Sequence, residues 1–282
     1  DTYLNANTTY WNSQNTPFYE SALSYIPEIP WNDTCASTLL ANYYGYQQTY
    51  GNGGFCNSPN GSLFAGTAGG SGGPSGCATG SPGVNGVVSG SCRGYPKPSW
   101  QIGFPGVPRD GVRDIPDVSL FASNGFWGHY YLFCSSDFGP CTAPPSNWPG
   151  AGGTSFSSPI MAGIQALVNQ VHGVQGNPNY AYYKLAALEY ATGGLTNCNS
   201  SLGNGVAAGC TFYDITVGDM DVPCTIGVGS ECYKPSGIIG VLSTSGFSYK
   251  PAYGANQGWD FATGIGAVNA TNLVKNWGIV AP

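Results

Sequence analysis

Charge is what this sequence has least of. Asp, Glu, Lys and Arg together make up 8% of 282 residues, where about a quarter is usual. Lys and Arg number 8 against 14 Asp and Glu, a net charge of −6. No basic stripe or patch is available for a phosphate backbone, so nucleic acid is excluded as a partner. The same scarcity limits self-repulsion in acid. With every carboxylate protonated, the basic side chains and both histidines carry at most +10. Acid unfolding driven by charge build-up is therefore weak here. Acid tolerance is one reading; a low-charge exported protein of any kind is the other.

Histidine is scarce too. His129 and His172 stand far apart, and no pair of cysteines has the C-x-x-C spacing. A zinc site is not expected from such a set. Long apolar runs are missing, both near the start and later, so neither a signal peptide nor a membrane span is expected. The first residue is Asp, and the expectation for an exported chain is that a leader has been removed upstream.

What fills the space left by charge is 44 Gly, 21 Pro and 19 Tyr, with 41% hydrophobic residues overall. That apolar content supports a sizeable core and argues against wholesale disorder. Ten cysteines are present, an even number spread through Gly- and Ser-rich segments. They point to disulfides made in an oxidising compartment, hence to a secreted or extracellular protein. Cys134 with Cys141, Cys198 with Cys210, and Cys224 with Cys232 are near enough in sequence to close local loops. N-glycosylation sequons occur at Asn7, Asn32, Asn60, Asn199 and Asn269; they matter only where the host has the machinery.

Along the chain, residues 1–35 read as loop and short strand, with a short helix expected over 36–46. Residues 50–95 are a Gly/Ser-rich loop insertion, held by Cys56, Cys77 and Cys92. It lacks the Gly-Lys-Ser/Thr ending of a phosphate-binding loop. Residues 113–123 read as a buried strand, 179–191 and 268–277 as helices, and the alternation suggests an α/β architecture. No internal repeat or clean domain boundary divides the chain.

The stretch AGGTSFSSPIMAG, residues 151–163, places a serine before a helix. Pro159 fits a first helical turn, and Gly173 marks a stop. Ile160, Met161, Ile164, Leu167, Val168 and Val171 recur at helical spacing and are expected on the buried face. Ser155 has two readings. It can cap the helix, or it can be a nucleophile whose developing charge the helix N–H groups favour.

Several separated segments then agree. GGTSFSSP resembles the G-T-S-x-S-x-P nucleophile motif of the sedolisins, the serine-carboxyl peptidases. YDITVG at 213–218 and GWDFATGIG at 258–266 resemble that family's calcium segments, in the same order. PSWQ at 98–101 and RDIPDVSLFA at 113–122 are similar to its core strands, and SYIPEIPWND at 24–33 to another of its segments. The resemblance implies a subtilisin-like parallel sheet with helices on both faces, of which 1–282 is a C-terminal portion with long disulfide-linked loops. It implies endopeptidase or tripeptidyl-peptidase action on peptide or protein substrates at acid pH, with Ser155 as nucleophile. It also implies Ca²⁺ held by the carboxylates of Asp214 and Asp260 and the carbonyls of Ile215, Asn256 and Gly258. Oxygen ligands of this kind suit calcium. Without the resemblance, Asp214 and Asp260 read equally as loop caps.

The family's base is a glutamate backed by an aspartate in an E-x-x-x-D pattern, and its oxyanion donor is an aspartate in S-G-D. Carboxylates suit this role, since an imidazole is protonated at about pH 3–4 while a carboxylate is still partly ionised. Neither pattern occurs before Ser155. Glu28 and Asp33 come nearest, but with the wrong spacing and Pro30 between them. His129 and His172 are read as structural. The expected partner is therefore an N-terminal chain of the same precursor that carries the base, docked where this chain exposes an unpaired sheet edge. The alternative is a non-catalytic exported structural or adhesion protein on a truncated peptidase scaffold. An aromatic-rich glycan binder has only its 7 Trp and 19 Tyr behind it.

Overall fold

Helices form where the sequence supplies caps and a stop. Ser37 accepts the Leu40 N–H and starts the helix Thr38–Tyr43, and Asn269 accepts the Asn272 N–H and starts the last helix. Gly173, at φ 77°, ends the helix that follows Ser155, a backbone geometry that suits glycine. The computed structural model describes residues 7–16, 21–76, 94–122, 129–142, 147–225, 232–244 and 247–280.

In chain order the elements are α1 (Asn7–Tyr10), α2 (Thr38–Tyr43), β1 (Gly73–Pro74), β2 (Asp114–Ile115), β3 (Tyr131–Leu132) and β4 (Gly150–Ala151). Then come α3 (Ser157–His172), α4 (Asn179–Ala191), α5 (Gly194–Asn197), β5 (Phe212–Tyr213), β6 (Pro223–Cys224) and β7 (Cys232–Tyr233). The last are β8 (Gly240–Leu242), β9 (Ala267–Val268) and α6 (Ala270–Asn276). The helices expected over 36–46, 179–191 and 268–277 are present as α2, α4 and α6.

The sheets overturn the expected architecture. Each is small and antiparallel: β1–β2, β3–β4, β5–β9 and β6–β8–β7. Parallel pairing among the described residues is confined to isolated bridges, Ser119 with Ala267 and Asn199 with Asp214. Among the described residues, a subtilisin-like parallel sheet with helices on both faces is not formed. The physical reason lies in the connections. Parallel strands need strand–helix–strand crossovers, but α3 runs through residues 173–178 directly into α4 with no strand between. The segments expected as core strands are also interrupted. Residues 98–101 form a turn closed by the Gln101 N–H on the Pro98 carbonyl. Residues 113–122 form a strand only at Asp114–Ile115, before Pro116, which has no N–H to give a ladder, and beyond it keep a single isolated bridge at Ser119.

Two cores hold the fold. The larger packs Ile164 and Val168 of α3 and Tyr182, Tyr183 and Leu185 of α4 around Phe212, Trp259, Ile265 and Trp277. The smaller gathers Leu40, Phe55 and Val241 around the Cys35–Cys56 disulfide. Cys134–Cys141, Cys198–Cys210 and Cys224–Cys232 are bonded as the spacing suggested. These four disulfides fit an oxidising environment, and no helix among the described residues is long and apolar enough to cross a membrane. The 50–95 segment is not all loop. It carries 3-10 turns at Phe55–Asn57 and Gly61–Phe64, and Cys56 ties back to Cys35. The expectations for Cys77 and Cys92 lie outside the described residues.

Candidate functional site

Ser155 sits in a 3-10 turn, Thr154–Phe156, that leads straight into α3. Gly153 enters the turn at φ 125° and donates its N–H to the Ala122 carbonyl at 2.6 Å. Phe156 then donates back to the Gly153 carbonyl. The helix begins without a side-chain cap, at Phe156 as at Gly153. Ser155 is therefore not a capping residue. Its side chain is exposed, and its hydroxyl makes no hydrogen bond among the described residues.

Aromatic rings wall the turn on one side. Tyr131 of β3 stacks on Phe156 at 4.9 Å and meets Phe121 edge-on at 5.1 Å, while Phe133 meets Phe156 at 6.2 Å. The β3–β4 pairing places these rings, because β4 runs directly into the Ser155 turn. Phe138, in the Cys134–Cys141 loop that follows β3, is 92% exposed. Sequence reasoning missed this wall. The signal was present in the run HYYLF, 129–133, but its placement depends on a strand pair only two residues long.

The possible bases are placed elsewhere or engaged otherwise. Glu28 accepts the Tyr25 hydroxyl at 2.7 Å, and Ser200 takes up the Glu28 N–H at 2.8 Å. Burial pushes Glu28 up to about 7, against the Tyr25 hydrogen bond, which lowers it. Asp33 accepts the Trp31 indole N–H, so the two acids do not form a pair. His129 stacks on Trp11 at 5.1 Å, and burial lowers its pKa. His172 Nε2 contacts the Val274 carbonyl at the far end of α3, about 24 Å of helix from the serine end.

The helix behind Ser155 buries less than its periodicity suggested. Ile164 and Val168 are buried and Ile160 and Met161 pack against the core, but Leu167 and Val171 are 51% and 62% exposed. Pro159, Ala162, Gly163, Ala166, Leu167, Val171 and Val174 make a continuous exposed stripe with no charge. This exposed, uncharged surface lies on a helix. An open hollow of about 360 Å³ borders the stripe at Met161, Ala162 and Gln165, with Asp117 and Tyr182 opposite.

The other candidate residues are brought together. Asp214 Oδ2 accepts the Gly258 N–H at 3.0 Å, and Asp260 Oδ2 accepts the Asn256 N–H at 2.8 Å. Asp260 Oδ1 takes the Ala262 and Thr263 N–H groups and the Thr263 hydroxyl. Both carboxylates are buried, and the Asp260 charge raises Asp214. Burial first, then the neighbour's charge, takes Asp214 to about 7, and burial takes Asp260 to about 6. Asp214 Oδ1 is buried with no hydrogen-bond partner. The carbonyls of Ile215, Asn256 and Gly258 accept no hydrogen bond among the described residues. An orphaned carboxylate oxygen beside a second buried carboxylate and unused carbonyls fits a hard cation such as Ca²⁺. Among the described residues no group of three or more His, Cys, Asp or Glu is gathered for a metal; this set instead combines two carboxylates with main-chain oxygens.

A second buried acid pair escaped the sequence reading. Asp219 accepts Asn32 and Thr38, and Asp221 accepts the Ala252 and Tyr253 N–H groups and the Tyr249 hydroxyl. Every oxygen of this pair has a donor, which marks it as structural.

No protein-family model matches the chain, and no curated protein matches it.

Proposed function

We propose that this chain is the nucleophile-bearing part of a secreted serine peptidase of the sedolisin type, acting on peptide or protein substrates in acid. The observation that carries this reading is the presentation of Ser155. It stands exposed and unengaged on a glycine-led turn at the start of an uncapped helix, beside a wall of aromatic rings. A capping serine would be turned inward onto the helix N–H groups.

In this reading the Ser155 hydroxyl attacks the scissile carbonyl and passes its proton to a carboxylate base. The amine leaves with a proton, and water then hydrolyses the acyl-serine. The base and a protonated carboxylic acid to bind the oxyanion come from a partner, an N-terminal chain of the same precursor. A buried acid held neutral can donate in that way. The uncharged stripe of α3 that begins beside Ser155 is the surface on which such a partner would lie, since contiguous exposed apolar surface marks interaction sites. The Phe121, Tyr131 and Phe133 rings favour an apolar side chain in the substrate. Calcium at Asp214 and Asp260 would pin the 256–260 loop to β5 and takes no part in bond cleavage.

The test is cleavage of a quenched-fluorescence peptide at about pH 3–4, where carboxylates are partly ionised. Native material containing the partner cleaves it, and the same material with Ser155→Ala does not. This chain alone is inactive. Cleavage that survives Ser155→Ala removes the serine from the reaction. Native material that contains only this chain, and no activity, supports instead the non-catalytic exported scaffold. That reading is favoured by the lack of a base on Ser155 among the described residues.

A further inference from the structure

Four of the five sequons have a described asparagine side chain, and these differ sharply in what the folded chain asks of them. Asn32 is buried, at 4% exposure. Its Nδ2 donates to the Asp219 carboxylate and to the Asp219 and Asp221 carbonyls, and its Oδ1 accepts the Thr34 N–H. Asn269 caps α6 through Oδ1 and donates Nδ2 to the Tyr213 hydroxyl at 2.7 Å. Asn199 is half-buried, with Nδ2 on the Thr216 hydroxyl and Oδ1 on the Ser201 N–H. A sugar replaces one of the two Nδ2 hydrogens: at Asn32 the amide is engaged by three acceptors, so a used N–H is lost, and at Asn199 and Asn269 the amide nitrogen is held on a hydroxyl in a partly buried pair that the sugar would crowd. Leaving a buried partner unsatisfied costs about 1–3 kcal/mol.

Asn60 is the opposite case. It is exposed, it precedes the 3-10 turn Gly61–Phe64, and its side chain makes no capping bond to that turn. Its carbonyl accepts the Leu63 N–H at 3.2 Å. In a 3-10 helix residues i and i+3 eclipse one another, so Asn60 and Leu63 share one face. Leu63 is 82% exposed there. Gly61, between the acceptor and Ser62, is fixed as glycine, because a Cβ at that position would lie 1.8 Å from the Phe55 carbonyl oxygen. The turn is anchored beneath by Cys56, bonded to Cys35.

We infer that, among the four sequons whose asparagine side chain is described, Asn60 is the N-glycan acceptor and Asn32, Asn199 and Asn269 are sequons in spelling only. The glycan carried at Asn60 lies over the exposed Leu63 side chain. This follows from the free amide, its exposure and the shared face, and it is independent of whether Ser155 is a nucleophile.

The experiment secretes the full chain with Asn7→Gln from a glycosylating yeast host and isolates folded, disulfide-bonded protein. Glycans are removed by a glycosidase that converts the modified asparagine to aspartate, in heavy-oxygen water, and the sites are read by mass spectrometry. Expected is a mark at Asn60 and none at Asn32, Asn199 or Asn269. Adding Asn60→Gln abolishes the gel shift on glycosidase treatment while the melting temperature is kept. An unmodified Asn60, or a modified Asn32, Asn199 or Asn269 in the folded fraction, overturns the inference. The Asn60 position is on the surface, so the variant's folding is not at stake. The covering of Leu63 by the sugar is read separately. Limited proteolysis with a protease that cleaves after leucine cuts at Leu63 in the Asn60→Gln protein and not in the glycosylated one; equal cutting of both sinks the claim that the sugar covers that side chain.

Discussion

Asp214 accepts the Gly258 N–H through one carboxylate oxygen and keeps the other buried without a donor. An anionic oxygen in that position is costly unless a cation meets it. Adding CaCl2 to chelator-treated protein is therefore expected to raise the melting temperature. Calcium at a hundred times its Kd contributes about 2.7 kcal/mol. Asp214→Asn removes the calcium-dependent part of the rise. Asp219→Asn, in the acid pair whose oxygens are already satisfied, leaves it in place. Equal melting with calcium and with chelator would falsify the site.

The buried acids away from that site predict how stability follows pH. Burial, then the Asp219 charge, raises Asp221 to about 6, and burial raises Glu28 to about 7 and lifts Asp219 and Glu189 in the same direction. A raised folded-state pKa means that the folded state holds these protons at pH values where the unfolded chain has lost them. Stability is then fully present below about pH 4, the unfolded carboxylate range, and is lost as pH rises through about 6–7. With chelator present, the urea midpoint is expected to be higher at about pH 5 than at about pH 7.5. Asp221→Asn flattens that slope by on the order of 2 kcal/mol. A midpoint that rises toward neutral pH contradicts the prediction.

The cysteine spacing allowed the local pairs to be read in advance, since a bond between near neighbours needs little from the rest of the fold. The sheet was not legible in the same way. Residues 113–122 carry the apolar content of a core strand, but whether they pair depends on partners far along the chain. Here Ser119 finds only one bridge, to Ala267. At Ser155 the glycine-led turn and the helix behind it were readable locally. The aromatic wall was not, because Tyr131 reaches Phe156 only through the β3–β4 register. Asp214, Asn256, Gly258 and Asp260 were named through resemblance; their hydrogen bonds to one another are what the fold adds.

The Cys198–Cys210 disulfide brackets a short segment whose N-terminal end meets Asp214. Cys198 accepts the Asp214 N–H, and Ser200 donates to the Asp214 carbonyl, each at 2.8 Å. Replacing both cysteines by serine is expected to cost about 2–3 kcal/mol, as for other short disulfide loops. It is also expected to weaken calcium binding by loosening Asp214. Calorimetry with and without calcium separates the two effects. A stability loss with unchanged calcium affinity would leave the disulfide as a clamp on the chain alone.

Val168 and Leu167 are neighbours on α3 with opposite surroundings: Val168 is fully buried and Leu167 is 51% exposed. The helical period alone assigned both to the core, because a pattern of apolar residues shows which faces can be buried and not what covers them. Val168→Ala is expected to destabilise the isolated chain by about 1–3 kcal/mol, the cost of a small cavity. Leu167→Asp is expected to change its stability by no more than about 0.5 kcal/mol, as for surface sites generally. If a partner carrying the catalytic base lies along this stripe, Leu167→Asp then abolishes peptide cleavage by the assembled material while the chain keeps its melting temperature. Full activity in the Leu167→Asp assembly would place the partner elsewhere, and a large stability loss in the isolated chain would mean that α3 is covered by this chain itself.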